Sequence, residues 1–368
     1  MTARFVPHVQ QLPNASPFIG PETLERQFGR PFELRLGANE SAFGISKLAR
    51  SAIADAAATS ACSWYGDPEN HDVRTLLAER HSVATDNLCI DAGIDALLGL
   101  SVRLFIAPGQ ATVTSLGAYP TFNYHVHGCG GTLHAVPYRD NHEDPIALIE
   151  AAHAHSARVV YLANPDNPMG TCIESADIAM MLDNLPQDCI LLLDEAYVEF
   201  MDSTPPLSID IDDDRLIRFR TFSKAFGMAG MRIGYVVAHT DIISGFNRIR
   251  NHFGVNRLAQ IAAKASLEDK LFLPHVVEQV SQGRERIYAL ANALNLTYVP
   301  SSTNFVTVQL GSDQKAASLL ENLAGAGVFM RKPGMSPQSS HIRIGVGTAE
   351  QHKGLENILI PMLSGGAS

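Results

Sequence analysis

The chain has 368 residues, of which 46% are hydrophobic and 18% charged, enough for two domains and a sizeable core in a soluble globular protein. Its net charge of -10 argues against nonspecific binding to nucleic acid or anionic membranes, and no basic stripe or zinc-finger spacing offsets it. No apolar run approaches the ~20 residues of a membrane span, and the N-terminus MTARFVPHVQQLP lacks the apolar run of a signal peptide, so a cytoplasmic location is expected.

Residues 1–30 contain Pro7, Pro13, Pro17 and Pro21 and no clear period, which predicts an extended, docked arm whose Phe5, Phe18 and Ile19 need cover. A short extended run at 34–36 enters a loop that Gly44 ends. From 46 onward, helical and strand patterns alternate. Helices are expected at 46–58, 71–81, 94–106, 120–127, 145–154 and 175–184. Strands are expected at 88–91, 112–116, 132–136, 158–162, 189–193, 216–222 and 233–238. The run Cys189-Ile190-Leu191-Leu192-Leu193 is apolar without alternation, as in a strand covered on both faces of a mostly parallel sheet. The pattern changes near 255. Helices 256–269, 274–294, 313–324 and 348–363 are mixed with strands 304–309, 327–330 and 341–346. The predicted fold class is α/β: a large domain with a mostly parallel sheet sandwiched by helices, plus a smaller α+β domain. Its expected divisions are an arm at 1–30, a large domain at 31–255 and a small domain at 256–368.

The five cysteines, Cys62, Cys89, Cys129, Cys172 and Cys189, are scattered, odd in number and without C-x-x-C, so reduced core thiols are expected. His125/His127 and His153/His155 are i, i+2 pairs without nearby carboxylate or cysteine partners, so no metal site is expected.

Several constellations can carry chemistry, and each has a purely structural alternative. Lys224 follows a predicted strand end, flanked by Thr221 and Ser223, with Arg232 eight places on. Hydroxyls and a guanidinium can hold a phosphate while the lysine forms a Schiff base with an aldehyde, a set that suits pyridoxal phosphate. The alternative is a surface lysine in a glycine-rich turn. Asp194 ends a buried strand, where a pyridinium N–H would satisfy its charge, and Tyr197 is three residues on. The alternative is a capping aspartate with a core tyrosine. Asn167 sits in Asn164-Pro165-Asp166-Asn167-Pro168-Met169-Gly170, either aimed inward as a donor or part of an ordinary turn. Gly93-Ile94-Asp95 opens a helix whose N–H groups can bind an anion, or is a plain strand–helix turn. Phe122 either stacks on a planar ring or fills the core. Alternation turns Arg343 away from Ile342, Ile344 and Val346, either towards a substrate carboxylate or into solvent or a structural pairing. Asp95, Asn167, Asp194 and Lys224 all fall just after predicted strand ends, which gathers them at one sheet edge where α/β proteins bind ligands.

On these motifs, together with Leu36–Gly44, Tyr65–Pro68, Pro120–Phe122 and Arg343–Gly347, the sequence resembles the fold-type I pyridoxal-phosphate aminotransferases, and within them the histidinol-phosphate aminotransferase-like group. The resemblance covers about 34–348. It implies that Lys224 binds the cofactor covalently and then moves protons, and that Asp194 pairs with the ring nitrogen. It also implies that Tyr197 and Asn167 bind the ring oxygen, and that Phe122 stacks on the ring. Gly93, Ile94 and Asp95 backbone, Thr221, Ser223 and Arg232 would hold the phosphate. Tyr65 would reach the neighbouring subunit's cofactor, which implies a homodimer with shared sites. Asn39 would line the substrate pocket, Arg343 would bind the α-carboxylate of glutamate or 2-oxoglutarate, and Arg331 is a further phosphate or carboxylate partner. The chain departs from the family pattern at Ile94, Gly66 and Met169. In the arm, Phe18 stands where histidinol-phosphate enzymes often carry a tyrosine. The leading donor is L-histidinol phosphate. The alternatives are an aromatic or other amino acid, or decarboxylation of a phosphorylated amino acid on the same scaffold. A transcription regulator would need a fused DNA-binding domain, for which the arm is too short. A binding protein without activity should lack Lys224.

Overall fold

The computed structural model describes residues 4–13, 18–201 and 211–364. In chain order, β1 (Leu34–Arg35) leads through the helices Lys47–Ala57 and His71–His81 to β2 (Leu88–Asp91). The helix Ile94–Phe105, β3 (Ala111–Ser115), the helix Thr121–Gly128 and β4 (Thr132–Val136) follow. Next come the helix Pro145–Ala154, β5 (Val159–Ala163), the helix Ser175–Asn184, β6 (Ile190–Asp194), β7 (Leu216–Thr221) and β8 (Gly234–Val237). After the helices Thr240–Ile249, Arg257–Glu268 and Phe272–Ala293 come β9 (Tyr298–Val299), β10 (Phe305–Gln309), the helix Asp313–Gly325, β11 (Val328–Phe329), β12 (His341–Gly345) and the helix Ala349–Ser364.

The central sheet has seven strands in the order β2-β8-β7-β6-β5-β3-β4. Only β8 opposes its neighbours, pairing antiparallel with both β2 and β7. The reason is local. The segment between β7 and β8 contains only the short turn Ala229–Met231, too little for the helical crossover that parallel strands require. The other six strands therefore end at one edge. Every residue of β5, β6 and β7 is buried. In β6, Leu191 and Leu193 pack with Leu148 and Met181 on one face, whereas Ile190 and Leu192 pack with Leu97 and Phe122 on the other. That double coverage is why the strand reads as an unbroken apolar run. Each such leucine contributes about 1.5–3 kcal/mol of burial.

A second, antiparallel sheet, β12-β10-β9, stacks against the last helices around Val306, Val308, Ile342 and Ile344. β1 pairs in parallel with β11.

Three expectations needed correction. The arm holds the helices Pro7–Gln10 and Pro21–Phe28, the second opened by proline at its first position and closed by Gly29 at φ 67°. Its Leu24 packs on Phe32, Ala324 and Phe329, whereas Phe5 and Ile19 are exposed; Pro17 lies outside the described residues. The helix Thr240–Ile249 was not anticipated, although His239 caps it and Ile243 and Phe246 bury one face. Cys62 is an exposed thiol rather than a core one.

A buried ionic knot braces β6 against β7. Glu195 accepts hydrogen bonds from Arg218 Nε (2.9 Å) and Arg220 Nε (2.7 Å), and Arg218 Nη2 completes a fork. Burial alone would raise the Glu195 carboxyl, but Arg220 and Arg218 outweigh it and hold it below the ordinary range. Glu195→Ala would leave two buried guanidinium groups without their counter-charge. The expected cost is roughly 3–5 kcal/mol, read as a lowered urea midpoint at unchanged slope.

Candidate active site

A cavity of about 390 Å³ opens at the shared strand edge. Its walls come from the ends of β5, β6 and β7, from the start of the helix Ile94–Phe105, from the loop after β1, and from β12.

Lys224 enters from the loop after β7. Gly227, at φ 70°, lets that loop touch the loop before the helix Lys47–Ala57, since a Cβ there would lie 1.8 Å from the Gly44 carbonyl oxygen. The contact brings Asn39 to the lysine. Lys224 Nζ donates to the Asn39 carbonyl (3.3 Å) and sits 5.4 Å from the centre of the Tyr197 ring. Asn39 is itself left-handed, at φ 55°, and its Nδ2 donates to the Tyr197 hydroxyl (2.8 Å). Asn304 Nδ2 also donates to the Asn39 carbonyl (3.1 Å). Asn39 Oδ1 is buried with no partner among the described residues.

Asp194 is the last residue of β6, not the first beyond it. Its Oδ2 accepts from Tyr161 OH (2.8 Å) and its Oδ1 from the Ala196 N–H (3.0 Å). Burial lifts its carboxyl to about 6 against the opposing pull of the Tyr161 hydroxyl. A cationic N–H arriving from the cavity would relieve that cost.

An anion cradle lies at the next strand ends. Gly93, at φ 86°, caps the helix Ile94–Phe105 without a side chain, and a Cβ there would lie 2.6 Å from Arg232 Nη2. The guanidinium therefore lies directly over the backbone at the helix start. Arg232 Nη2 also meets Asp95 Oδ2 (3.3 Å), and Tyr119 OH donates to Asp95 Oδ1 (3.0 Å). Thr221 Oγ1 donates to Ser223 Oγ (3.0 Å), and both residues line the cavity with Ile94. Helix N–H groups, two hydroxyls and a guanidinium form a donor set suited to a phosphate.

The opposite wall is cationic. Arg343 is 9% exposed; its Nη1 donates to Asn167 Oδ1 (2.5 Å), its Nη2 to the Gly37 carbonyl (3.2 Å), and its Nε is buried without a partner among the described residues. Burial lowers its guanidinium to about 10. Arg331, bridged to Arg343 through the backbone, donates from Nη2 to the Ile19 carbonyl (2.9 Å) and packs over Phe18 and Phe329. Phe18 lines the mouth, 6.3 Å from Tyr119 and edge-on to Tyr124 at 5.9 Å.

Lys224, Asp194, Tyr197, Asn167, Thr221, Ser223, Arg232, Ile94, Asp95, Asn39, Arg343, Arg331 and Phe18 thus line one cavity, with Gly93 against Arg232. Phe122, expected to stack on the ring, and Tyr65, expected at a neighbouring subunit's site, do not line this cavity. Phe122 is fully buried and stacks on Tyr161 (5.0 Å, 11°), so its ring packs against the back of a residue that lines the cavity. Tyr65 is 76% exposed against Phe253 and lies outside the cavity of its own chain. Sequence reasoning missed Tyr161, Tyr119 and Asn304. Tyr161 is the one hydroxyl in an otherwise apolar strand, and Tyr119 precedes a helix-opening proline, so both carried a faint signal.

Comparisons with known proteins agree with this geometry. The model of the family "Aminotransferase class I and II" matches residues 33–358. Histidinol-phosphate aminotransferase 1 of Dechloromonas aromatica is 34% identical over 336 residues, 89% of this chain and 90% of that one. Histidinol-phosphate aminotransferase 2 of Carboxydothermus hydrogenoformans is 30% identical over 348 residues, 93% of this chain and 95% of its own. The crystal structure of histidinol-phosphate aminotransferase from Sinorhizobium meliloti, in complex with pyridoxal-5'-phosphate, superposes with a TM-score of 0.95 at 42% identity, covering 100% of this chain and 99% of that one. A lysine, a buried acid and an anion cradle around one cavity thus recur with a family match over most of the sequence, and the chain belongs to the class I and II aminotransferases.

Proposed function

We propose that this chain is a pyridoxal-phosphate-dependent aminotransferase that moves the amino group of L-histidinol phosphate to 2-oxoglutarate, a step of histidine biosynthesis. The observation that carries the reading is the convergence of Lys224 Nζ, the Asp194 carboxylate and the Gly93–Arg232 cradle on one cavity. The named relatives supply the substrate. The residues fit the cofactor. At Gly93 no side chain screens the helix start and the Arg232 guanidinium lies against it, a pairing of N–H groups and cation suited to a phosphate, and the elevated Asp194 carboxyl is suited to a ring N–H.

When bound, the cofactor supplies an aldehyde that captures amines and a protonated ring that accepts electrons released at the donor Cα. Around it, Lys224 Nζ would hold the cofactor covalently and would take up and return the proton at the donor Cα. Asp194 keeps the ring nitrogen protonated, and Tyr161 holds Asp194 in place. Tyr197 and Asn167 bind the ring oxygen. Thr221, Ser223, Arg232 and the N–H groups of Ile94 and Asp95 grip the phosphate. Arg343, already aligned by Asn167 and Gly37, binds the α-carboxylate of glutamate or 2-oxoglutarate as a two-pronged donor. Arg331 and Phe18, with Asn39, line the side from which the donor enters. An aromatic amino-acid donor is the second reading, favoured by the absence of a hydroxyl at Phe18.

We further propose a cytoplasmic homodimer, and a chain divided into an arm at 1–30, a large domain at 31–255 and a small domain at 256–368. Tyr65 supports the dimer: it is exposed beside Trp64 and Phe253, outside its own cavity, and is suited to complete a neighbour's phosphate site. No described helix is long and apolar enough to cross a membrane.

The purified protein is expected to show a visible absorption band that borohydride bleaches. Lys224→Ala should lack the band and lose roughly 10²–10⁴-fold or more in turnover. Candidate amines added singly should identify the donor by the change in that band. A response to phenylalanine or tyrosine, with none to histidinol phosphate, would transfer the assignment to the second reading. Arg343→Ala removes a buried charged donor worth about 2–5 kcal/mol, so KM for 2-oxoglutarate should rise roughly 30-fold or more while kcat falls less. Sedimentation should give the mass of a dimer, and a monomer that retains full activity would remove Tyr65 from the site.

A further inference from the structure

Tyr65 lies in the loop between the short turn Ser60–Ser63 and the helix His71–His81, with its side chain 76% exposed. A surface loop of this kind is ordinarily mobile. Here the backbone is gripped at three of the four residues from 65 to 68. Arg257 Nε donates to the Tyr65 carbonyl (3.0 Å), and Arg250 Nη2 to the Pro68 carbonyl (2.6 Å). Between them, Gln260 pairs with Asp67 in both directions. Its Oε1 accepts from the Asp67 N–H (2.9 Å), and its Nε2 donates to the Asp67 carbonyl (2.9 Å). The same Nε2 donates to Asn70 Oδ1 (2.9 Å), at the entry of the helix His71–His81.

Gly66 makes that grip possible. A Cβ there would lie 2.6 Å from Gln260 Nε2 and 2.7 Å from the Val255 carbonyl oxygen, so a side chain at 66 would push the glutamine off Asp67. The departure from the family pattern at Gly66 thus coincides with the seat of Gln260.

The gripping residues share a frame with the anion cradle. Arg257 and Gln260 both stand at the start of the helix Arg257–Glu268. Asn256 caps that helix by accepting from the Ala259 N–H (2.8 Å), and its Nδ2 donates to the Met231 carbonyl (3.2 Å), one residue before Arg232. One helix start therefore holds both the approach to the chain's own cradle and the loop of Tyr65.

We infer that Gln260 is a positioning residue that fixes the loop 65–68 so that the Tyr65 hydroxyl is presented to the cofactor phosphate of a second copy of this chain. The inference rests on the proposed homodimer with shared sites. Gln260 does not line the cavity, and it acts only through Tyr65. Without the two-way bond to Asp67, ordering the loop would be charged against each binding event. A residue that merely stabilised the fold would alter the affinity of every ligand alike. One that aims a hydroxyl at a phosphate alters only ligands that carry the phosphate, and only while the hydroxyl is there.

The test titrates cofactor-free wild type, Y65F, Q260A and Y65F/Q260A with pyridoxal phosphate and, separately, with pyridoxal, which lacks the phosphate. The visible band reports binding, and sedimentation reports the assembly of each variant. Y65F is expected to bind pyridoxal phosphate roughly tenfold more weakly, the loss of one hydrogen bond to a charged group. Q260A should weaken it roughly threefold or more through the lost ordering of the loop. Y65F/Q260A should bind no more weakly than Y65F, because both changes act on one contact. Pyridoxal should bind every variant as it binds wild type. Wild-type affinity in Q260A, additive losses in the double variant, equal losses for pyridoxal and pyridoxal phosphate, or a monomeric Q260A would overturn the inference. Should Q260A fail to fold, Q260E, alone and with Y65F, decides on the same criteria. It keeps the shape and the acceptor for the Asp67 N–H but no longer donates to the Asp67 carbonyl. A Y65F that binds pyridoxal phosphate as tightly as wild type would sink the shared-site reading and the inference with it, whereas a weakened Y65F beside an unchanged Q260A would strike the inference alone.

Discussion

The parallel register of β5, β6 and β7 is the constraint on which the rest depends. Ala163 stands beside Asp194, and Asp194 beside Phe219, so β5 and β6 end in step while β7 runs on to Thr221. The ladder continues past the strand ends: Asn164 N–H donates to the Asp194 carbonyl (2.8 Å), and Glu195 N–H to the Phe219 carbonyl (2.9 Å). Those extra rungs fix the first residues of each loop as firmly as the strands. Asn167, Asp194 and Lys224 are therefore delivered to one edge by the sheet itself. The loops add only direction.

That edge is costly to maintain. Asp194, Glu195, Arg218, Arg343, Glu143 and Asp166 are all buried, and a buried charge is tolerated only when paired or neutralised. The chain solves the problem differently on each side. Glu195 is paired with two arginines and stays ionised. Asp194 has only a hydroxyl and an N–H as donors, so burial leaves its carboxyl elevated and responsive to a ligand cation. The two neighbours thus divide the work: one braces β6 against β7, and the other remains available to the cavity.

Much of this was legible in the sequence because it follows from period and punctuation. The strand over 132–136 and the helices over 145–154 and 175–184 coincide with the observed elements, where an apolar pattern is bounded by turn residues. The shared strand edge followed from four polar residues at four strand ends. The failures have physical causes. Phe122 occupied the right place in a motif, but it is fully buried and stacks on Tyr161 of β5, a contact made only in the folded chain. The helix Thr240–Ile249 carries the right spacing, yet its cap is a histidine, an unusual capping residue. The reversal of β8 depends on what a connection lacks, and no periodicity reports that. The Glu143 bond to the Ala163 N–H joins residues 20 apart through tertiary packing alone, as does the docking of Gly227 on Gly44.

The proposed donor side of the cavity draws on the arm and on Arg331. Arg331 spans two structures at once: its backbone pairs with Arg343, and its side chain holds the Ile19 carbonyl of the arm. A substrate group that took that guanidinium would have to share it with the arm or release the arm. Phe18 sits under the same guanidinium and beside Tyr119, whose hydroxyl is committed to Asp95 of the anion cradle. The mouth is therefore coupled to both ends of the cavity, to the carboxylate side through Arg331–Arg343 and to the cradle through Tyr119–Asp95. An aromatic at position 18 without a hydroxyl narrows the mouth by shape and by cation–π contact rather than by hydrogen bonding. On the proposed reading, discrimination between donors would fall on flat rings and on charge, not on a single hydrogen bond at Phe18.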